Sequence, residues 1–474
     1  MSEAIEKSLE LFYQAYGAII PEQDQWWFLK DKPLPLTAWA NTLRVSLDEL
    51  VRLLRDDHID VDRLPGMKQA LIYHGNKSRL TKHWSHTCGL FQVQEWVAML
   101  AGQILSPKPD ERVLDLCSAP GNKMAQMALS MKNQGLLIAN DIRGARLRAS
   151  GQLIKRLGLY NVSMSLYDGR HWPRLEQFFD KILVDAPCSG EGTFRKSPSR
   201  VFMPDQHNSE KMAAIQSELL NKAYRLLKPG GQLLYATCTF SPIENERVVD
   251  GFLKTHPAIS LSDVSVDYPC SSGLTQWQDD SYDPSLCQAI RLWPHQNNSG
   301  GFFFALMKKS LEVDACMSLP GMKHQGLSDE DAGHLSHVMK YYDFPPEIFK
   351  QFSFFSSSRG IMMVNQNHHV PEKVVLDACG QLFLKTQMRH PKITTTAALT
   401  WAPWARAHVV NVNDRQRAGY MNREDQVIEP SQVLCAKPGS MVLVRFERFG
   451  LGCGYVTLND NQWVLQSLFP KSMG

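Results

Sequence analysis

VLDLCSAPGNK, residues 113–123, is the stretch that decides the fold. Val113–Leu116 reads as a short buried strand. A tight run of small residues follows, Cys117-Ser118-Ala119-Pro120-Gly121, and then helical periodicity over Lys123–Met131. The same unit recurs downstream. Gly135–Asn140, Val162–Leu166, Lys181–Val184 and Gln232–Thr237 read as strands, with Ala145–Leu157 and Lys211–Leu227 as helices among them. Strands alternating with helices predict a parallel sheet covered on both faces, and right-handed crossovers make it doubly wound. Lys228-Pro229-Gly230-Gly231 predicts a turn before the fifth strand, and Arg291–Trp293 and Gly301–Met307 read as closing strands.

Either side of this region the pattern changes. Leu9, Leu11, Phe12, Ala15 and Tyr16 predict a helix, Lys32–Leu36 breaks it, and Thr37–Leu54 reads as a strand and a helix capped near Ser46, with Glu49 three residues on. After Lys309 the alternation stops. Ser310–Phe355 reads as helical and irregular, and Ser356-Ser357-Ser358 as a boundary or exposed loop. From Lys373 short strands and turns predominate, with Met441–Phe446 and Gly454–Leu458 the clearest strands. The fold class expected is α/β: a doubly wound Rossmann-like sheet with an N-terminal α+β extension and a C-terminal β-rich module. The expected divisions are residues 1–90, 91–310, 311–385 and 386–474.

The 474 residues are 43% hydrophobic and 21% charged, enough to bury sizeable cores and too apolar for a disordered chain. No apolar run approaches the ~20 residues that span a bilayer, and the N-terminus lacks a basic-then-apolar signal pattern. A cytoplasmic protein without a membrane partner is expected. None of the ten cysteines forms a Cys-x-x-Cys pair, so no metal site is expected. A formal net charge of +3 neither demands nor excludes nucleic acid. From Thr386 onward ten basic residues face six acidic ones, which gives weak support for a nucleic-acid-binding tail.

In an open parallel sheet, ligands bind beyond the carboxyl ends of the strands. There the five strands present in turn Cys117-Ser118-Ala119-Pro120-Gly121-Asn122-Lys123, Asp141, Asp168 with Gly169, Asp185-Ala186-Pro187-Cys188, and Cys238. Each has a plain structural reading: a loop into a helix, a capping aspartate, a buried small thiol. Together on one edge they describe a site. The first loop offers backbone N–H groups and a helix N-terminus to an anionic group but lacks the GxGxxG pattern of a pyrophosphate site. An acid after the second strand suits ribose hydroxyls, and an acceptor after the third suits an adenine amino group. These are the needs of S-adenosylmethionine.

The motifs DAPCSGEGTFRK (185–196) and TCTFSPIENE (237–246), with Gly89–Gln94, Asp115–Lys123, Asp141, Asp168, Lys228–Gly231 and Gly301–Ala305, resemble the Sun-type RNA cytosine-5-methyltransferases. The resemblance covers most of residues 30–310. It implies a methyltransferase sheet, and the basic tail resembles the PUA-like module of the bacterial ribosomal RNA small subunit methyltransferase F group. It further implies S-adenosylmethionine on Cys117–Lys123, Asp141, Asp168 and Asp185, with Cys238 as nucleophile and Cys188 assisting product release. Asp185 is expected to hold the cytosine edge, and Lys123 to orient groups electrostatically or, in its plain alternative, to support helix capping.

The implied partner is ribosomal RNA, 16S rRNA or the 30S subunit, acted on by a monomer. Transfer RNA is the nearest alternative, and a non-catalytic RNA-binding assembly factor or a nicotinamide-dependent oxidoreductase the alternatives of another class. Trp26, Trp27 and Trp39 are candidates for RNA stacking, with core packing as the competing reading. Two positions depart from the family pattern: Trp39 stands at the first Arg of an Arg-x-Asn-x-Leu-Lys motif (39–44), and Ser197 where an acid follows Arg195-Lys196. Both departures are expected to bear on RNA contacts.

Overall fold

The computed structural model describes residues 3–312, 326–388 and 391–471. Cys316, part of the 311–385 connection and Arg389 of the basic tail lie outside the described residues. Helix α1 (Glu3–Tyr16) turns Leu9, Phe12 and Tyr16 inward. β1 (Leu36–Ala40), β2 (Val61–Arg63), β3 (Ala70–Tyr73) and β4 (Phe91–Val93) form an antiparallel sheet in the order β2-β3-β1-β4. The helix Leu47–Asp56 follows β1, and the Ser46 hydroxyl caps it by accepting from the Glu49 amide.

β5 (Arg112–Asp115), β6 (Leu136–Asn140), β7 (Val162–Ser165), β8 (Phe179–Asp185) and β9 (Leu227–Thr237) are the parallel strands of a ten-stranded sheet. Their order is β7-β6-β5-β8-β9, and the strand Phe302–Lys309 closes antiparallel to β9. Every position of β6 is buried, as a strand covered on both faces requires. One face packs Val97, Met124, Leu147 and Ile154; the other packs Leu219, Ala223, Val248 and Phe252. Winding reverses between β5 and β8, so the loops after those strands open a crevice. The expected doubly wound α/β sheet is present.

Several local expectations are corrected. Lys228–Gly231 is not a turn ahead of the fifth strand but lies inside β9. Leu227 already pairs with Phe179, the register shifts, and Gln232 resumes opposite Lys181. Gly230, at φ 75°, absorbs the irregularity, and Lys228 pairs with Asp180. The helix expected to start at Lys211 begins at Gln206, because Asp205 caps it by accepting from the Asn208 amide. Ser356–Ser358 is not a boundary: Phe352–Ser357 and Gly360–Asn365 are the two strands of a hairpin in a four-stranded sheet. Ala378–Cys379, in the same part of the chain, adds an antiparallel edge strand to β7.

A six-stranded, β-rich sheet occupies the C-terminal part. It shares one core with the N-terminal sheet, where the Trp84 ring meets Phe446 and Phe449 edge-on or tilted, and Arg417 lies 4.9 Å over Trp84. Trp26 and Trp39 are corrected as stacking candidates. Trp26 is fully buried against Phe194, Phe240 and Trp293, and Trp39 is buried with its indole donating to Gln94 Oε1 at 2.7 Å.

The motif holding Trp39 is structural too. Asn41 Nδ2 donates to the carbonyls of Gly89 (2.9 Å) and Leu157 (2.8 Å), joining β1 to the helix Gly144–Leu157, and Arg44 donates to Leu399 O at 2.6 Å. Asn41→Ala leaves two buried carbonyls without their donor. It is expected to cost about 2–4 kcal/mol, read as a lower urea midpoint with an unchanged slope; an unchanged midpoint contradicts this role.

Candidate active site

β5 runs straight into the loop Cys117–Gly121, which leads the helix Asn122–Ser130. Gly121 adopts φ 97°, and a Cβ there would lie 2.9 Å from Ser150 Oγ, so the tight turn requires glycine. Among the described residues no side chain caps this helix, so its first N–H groups remain for another acceptor. Ser118 Oγ is buried beside the Asp115 carboxyl.

Asp141, at the end of β6, is almost fully buried. One carboxylate oxygen accepts from the Ala119 amide at 3.1 Å and the other from the Arg143 amide at 2.8 Å, which ties the acid to the first loop. The next residue, Ile142, is 60% exposed and lines the crevice, an apolar wall the sequence reading missed. Asp168 is met differently from expectation. Arg170 forks onto its carboxylate, with Nη2 to Oδ2 at 2.6 Å, and holds the acid below the usual carboxylate range.

Asp185, at the end of β8, accepts from Lys123 Nζ at 2.6 Å. Burial opposes the lysine charge, but the carboxylate outweighs it and holds the ammonium above its ordinary value. The same ammonium lies 5.1 Å from the Phe302 ring. Asp115 is a further acid that the strand-end reading left without a role. It is buried, and burial, then the Asp185 charge, push it up to about 8.

The two motif cysteines, 50 residues apart in sequence, come together: Cys188 Sγ and Cys238 Sγ are 3.4 Å apart. The bond from the Cys188 thiol, and then the Lys123 and Lys196 ammonium groups, hold the Cys238 thiol below its ordinary value against burial and the Asp185 charge. Cys188 moves the opposite way, pushed well above by its bond to Cys238 and by burial. Cys117 is neutralised by burial and by the charges of Asp115, Asp185, Asp141 and Asp168. Of the three thiols in the crevice, Cys238 alone is held below its ordinary value. Glu244, also missed from sequence, is fully buried and organises the Cys188 loop. It accepts from the Ser189 amide, Ser209 Oγ and Gln216 Nε2, each at 3.0 Å.

The crevice holds about 510 Å³ and is lined by Cys117–Pro120, Asn122, Lys123, Asp141, Asp168, Asp185, Cys188 and Cys238, so every candidate except Gly121 faces it; Gly121 shapes the loop from behind. The family described as 16S rRNA methyltransferase RsmB/F matches residues 102–308. A tRNA (cytosine(49)-C(5))-methyltransferase of Pyrococcus abyssi is 32% identical over 311 residues, 65% of this chain and 98% of that protein. The chain belongs to the RsmB/F (Sun-type) family of RNA cytosine-C5 methyltransferases. A 28S rRNA (cytosine-C(5))-methyltransferase of mouse is 35% identical over 282 residues, 58% of this chain, but the match spans only 35% of the mouse protein. A ribosomal RNA small subunit methyltransferase F of Aeromonas salmonicida is 29% identical over 433 residues, 89% of this chain and 88% of the relative. The crystal structure of a Pyrococcus horikoshii methyltransferase homologue superposes with a TM-score of 0.56 at 30% identity, covering 65% of this chain and all of that one.

Methyltransferases of this family use S-adenosylmethionine, and the crevice fits it. The volume lies in the range of small-molecule sites, successive strands end in acids, Ile142 offers an apolar wall, and among the described residues no side chain caps the N–H groups of the helix that follows the first loop. Among the described residues no group of His, Cys, Asp and Glu is placed to hold a metal ion, and no helix is long and apolar enough to cross a membrane.

Lys123→Ala removes a cation that favours the Cys238 thiolate and unpairs Asp185, whose charge opposes it. Both effects raise the thiol pKa, so alkylation of Cys238, which rises as pH passes through that value, shifts to higher pH. The expected shift is about one unit, measured as iodoacetamide labelling of Cys238 by mass spectrometry; an unchanged midpoint contradicts the assignment.

Proposed function

We propose that this protein methylates carbon 5 of a cytosine in RNA through a covalent bond from Cys238. The observation that carries the reading is the approach of the two thiols at 3.4 Å beside the Lys123–Asp185 pair. The Cys117–Lys123 loop and Asp141 hold S-adenosylmethionine at its amino-acid and ribose parts, with Ile142 and the Asp168 loop at its base. Bound there, it supplies an electrophilic methyl group.

Cytosine carbon 5 is a poor nucleophile until carbon 6 receives a bond. The Cys238 thiolate adds to carbon 6, the carbon 5–carbon 6 double bond opens, and its electron pair becomes available at carbon 5. Asp185 hydrogen-bonds the cytosine edge, and Lys123 fixes Asp185. Addition converts Cys238 into a neutral thioether, which removes the partner that holds the Cys188 thiol up. The Cys188 thiol releases its own proton to solvent water, and its thiolate, directly or through a water it positions, then takes the proton from methylated carbon 5. That electron pair restores the ring double bond as the carbon 6–sulfur bond breaks, returning the thiolate to Cys238.

The target is proposed to be 16S rRNA, alone or in the 30S subunit. Support comes from the family description and from the F-type relative matched along nearly the whole chain. The archaeal tRNA enzyme, matched over its own length, makes transfer RNA the second reading. Residues 91–310 are the proposed catalytic domain and residues 311–385 a connection. Residues 1–90 and the PUA-like 386–474 would hold RNA, in a monomer acting in the cytoplasm. A base inside a helix must be unstacked to reach the crevice, and loops or bulges make that cheaper.

Transfer of labelled methyl from S-adenosylmethionine to total RNA tests the reading. Cys238→Ala is expected to transfer none, a loss of more than about a thousandfold as for other removed nucleophiles. Cys188→Ala is expected to accumulate an RNA-linked protein band. Activity retained by Cys238→Ala and lost by Cys188→Ala reverses the roles; no labelling of any RNA by the wild type moves the binding-factor reading forward.

A further inference from the structure

Glu191 is a buried carboxylate with no part in the proposed reaction. It lies three residues after Cys188 and is 1% exposed. Its Oε1 accepts from Tyr16 Oη at 2.9 Å, and its Oε2 accepts from Thr239 Oγ1 at 2.9 Å and the Phe240 amide at 3.1 Å. Thr239 adjoins Cys238, and its hydroxyl also lies 2.6 Å from that of Ser189, which adjoins Cys188. The chain Ser189–Thr239–Glu191–Tyr16 therefore links both cysteine loops to the last residue of α1. The Gly192 amide adds a direct tie to the Cys238 carbonyl at 2.9 Å.

Apolar packing stiffens this link. Phe12 of α1 meets Phe194 edge-on at 5.5 Å and Phe240 at 5.3 Å, one ring from each cysteine loop. Phe240 stacks on Trp293 at 5.4 Å, and Trp26 closes the cluster while its indole donates to Leu9 O at 3.1 Å. Burying a carboxylate without a cation is costly, and among the described residues no lysine or arginine forms an ion pair with Glu191. Burial pushes it up to about 7. If packing were the only need, an apolar residue would fill the space at lower cost. A carboxylate instead gathers donors from α1 and from the Cys238 loop at one point.

We infer that Tyr16 and Glu191 are positioning residues, through which α1 sets the separation of the Cys188 and Cys238 thiols. The inference rests on the two-thiol reading for its catalytic meaning, but not for its geometry. Productive proton removal at carbon 5 needs both sulfurs on the same base, and misplacement by about 1 Å costs on the order of a hundredfold in comparable sites.

The test uses the full chain, with Tyr16→Phe, Glu191→Gln, Glu191→Ala and Thr239→Val beside wild type. One readout is closure of the Cys188–Cys238 disulfide by diamide, which takes up both thiol hydrogens and becomes the hydrazine; mass spectrometry follows the rate. The other is kcat and KM for methyl transfer. Tyr16→Phe is expected to slow both closure and kcat by about tenfold, with KM within about twofold. Glu191→Gln is expected to retain more than Glu191→Ala. Wild-type closure in folded Tyr16→Phe and Thr239→Val overturns the inference, whatever their melting temperatures, and these two variants decide if Glu191→Ala does not fold. Should wild type label no RNA, the functional reading fails while the closure rates still judge the clamp.

Discussion

The register between β8 and β9 fixes where the chemistry can happen. Asp185 pairs with Ala236, and the Ala186 amide donates to the Ala236 carbonyl at 2.9 Å, so the two strands end side by side. Hydrogen-bonded strands lie about 4.8 Å apart. A cysteine three residues beyond one end and one residue beyond a partner's end therefore reach the same small space, with little freedom to be elsewhere. A slip of one residue would turn Asp185 away from Lys123 and Cys238 away from the crevice. Both sides of this strand pair are covered, by the helices Gln206–Leu226 and Trp96–Leu105, and that burial holds the register.

Electrostatics then separates thiols that the backbone brings together. Cys117, Cys188 and Cys238 share one crevice, yet their environments differ in sign. Cys117 faces four aspartates, Cys188 gives its hydrogen bond to its neighbour, and Cys238 receives that bond beside two lysines. Lys123 is central, since its ammonium neutralises Asp185 as well as favouring the Cys238 thiolate. The crevice thus holds one thiol drawn below its ordinary value and two pushed above it.

Much of this was legible in the sequence because it is local or periodic. The five parallel strands follow from apolar runs between helices, and the strand-end rule places Cys117, Asp141, Asp168, Asp185 and Cys238 on one edge. What was not legible depends on contacts between distant segments. Trp26 and Trp39 look like stacking residues until Phe194, Phe240 and Gln94 are seen to bury them. Glu244 and Glu191 lie in polar stretches where a carboxylate is ordinarily solvated, and nothing local signals that three donors converge on each. The edge strand Ala378–Cys379 pairs with β7 across more than 200 residues, and the core shared by Trp84 with Phe446 and Phe449 joins the two ends of the chain. Arg170 supplies an intermediate case: two residues from Asp168, it was within reach of a local reading, but only geometry shows it occupying that carboxylate.

The central claim, that Cys238 and not Cys188 bonds to the base, is tested most directly by trapping. Wild-type protein with S-adenosylmethionine would be given RNA carrying 5-azacytidine, whose ring nitrogen at position 5 has no hydrogen for a base to remove after methyl transfer. The adduct would then be digested and mapped by mass spectrometry. The account predicts a nucleotide on the peptide containing Cys238; a nucleotide on the peptide containing Cys188 would contradict it.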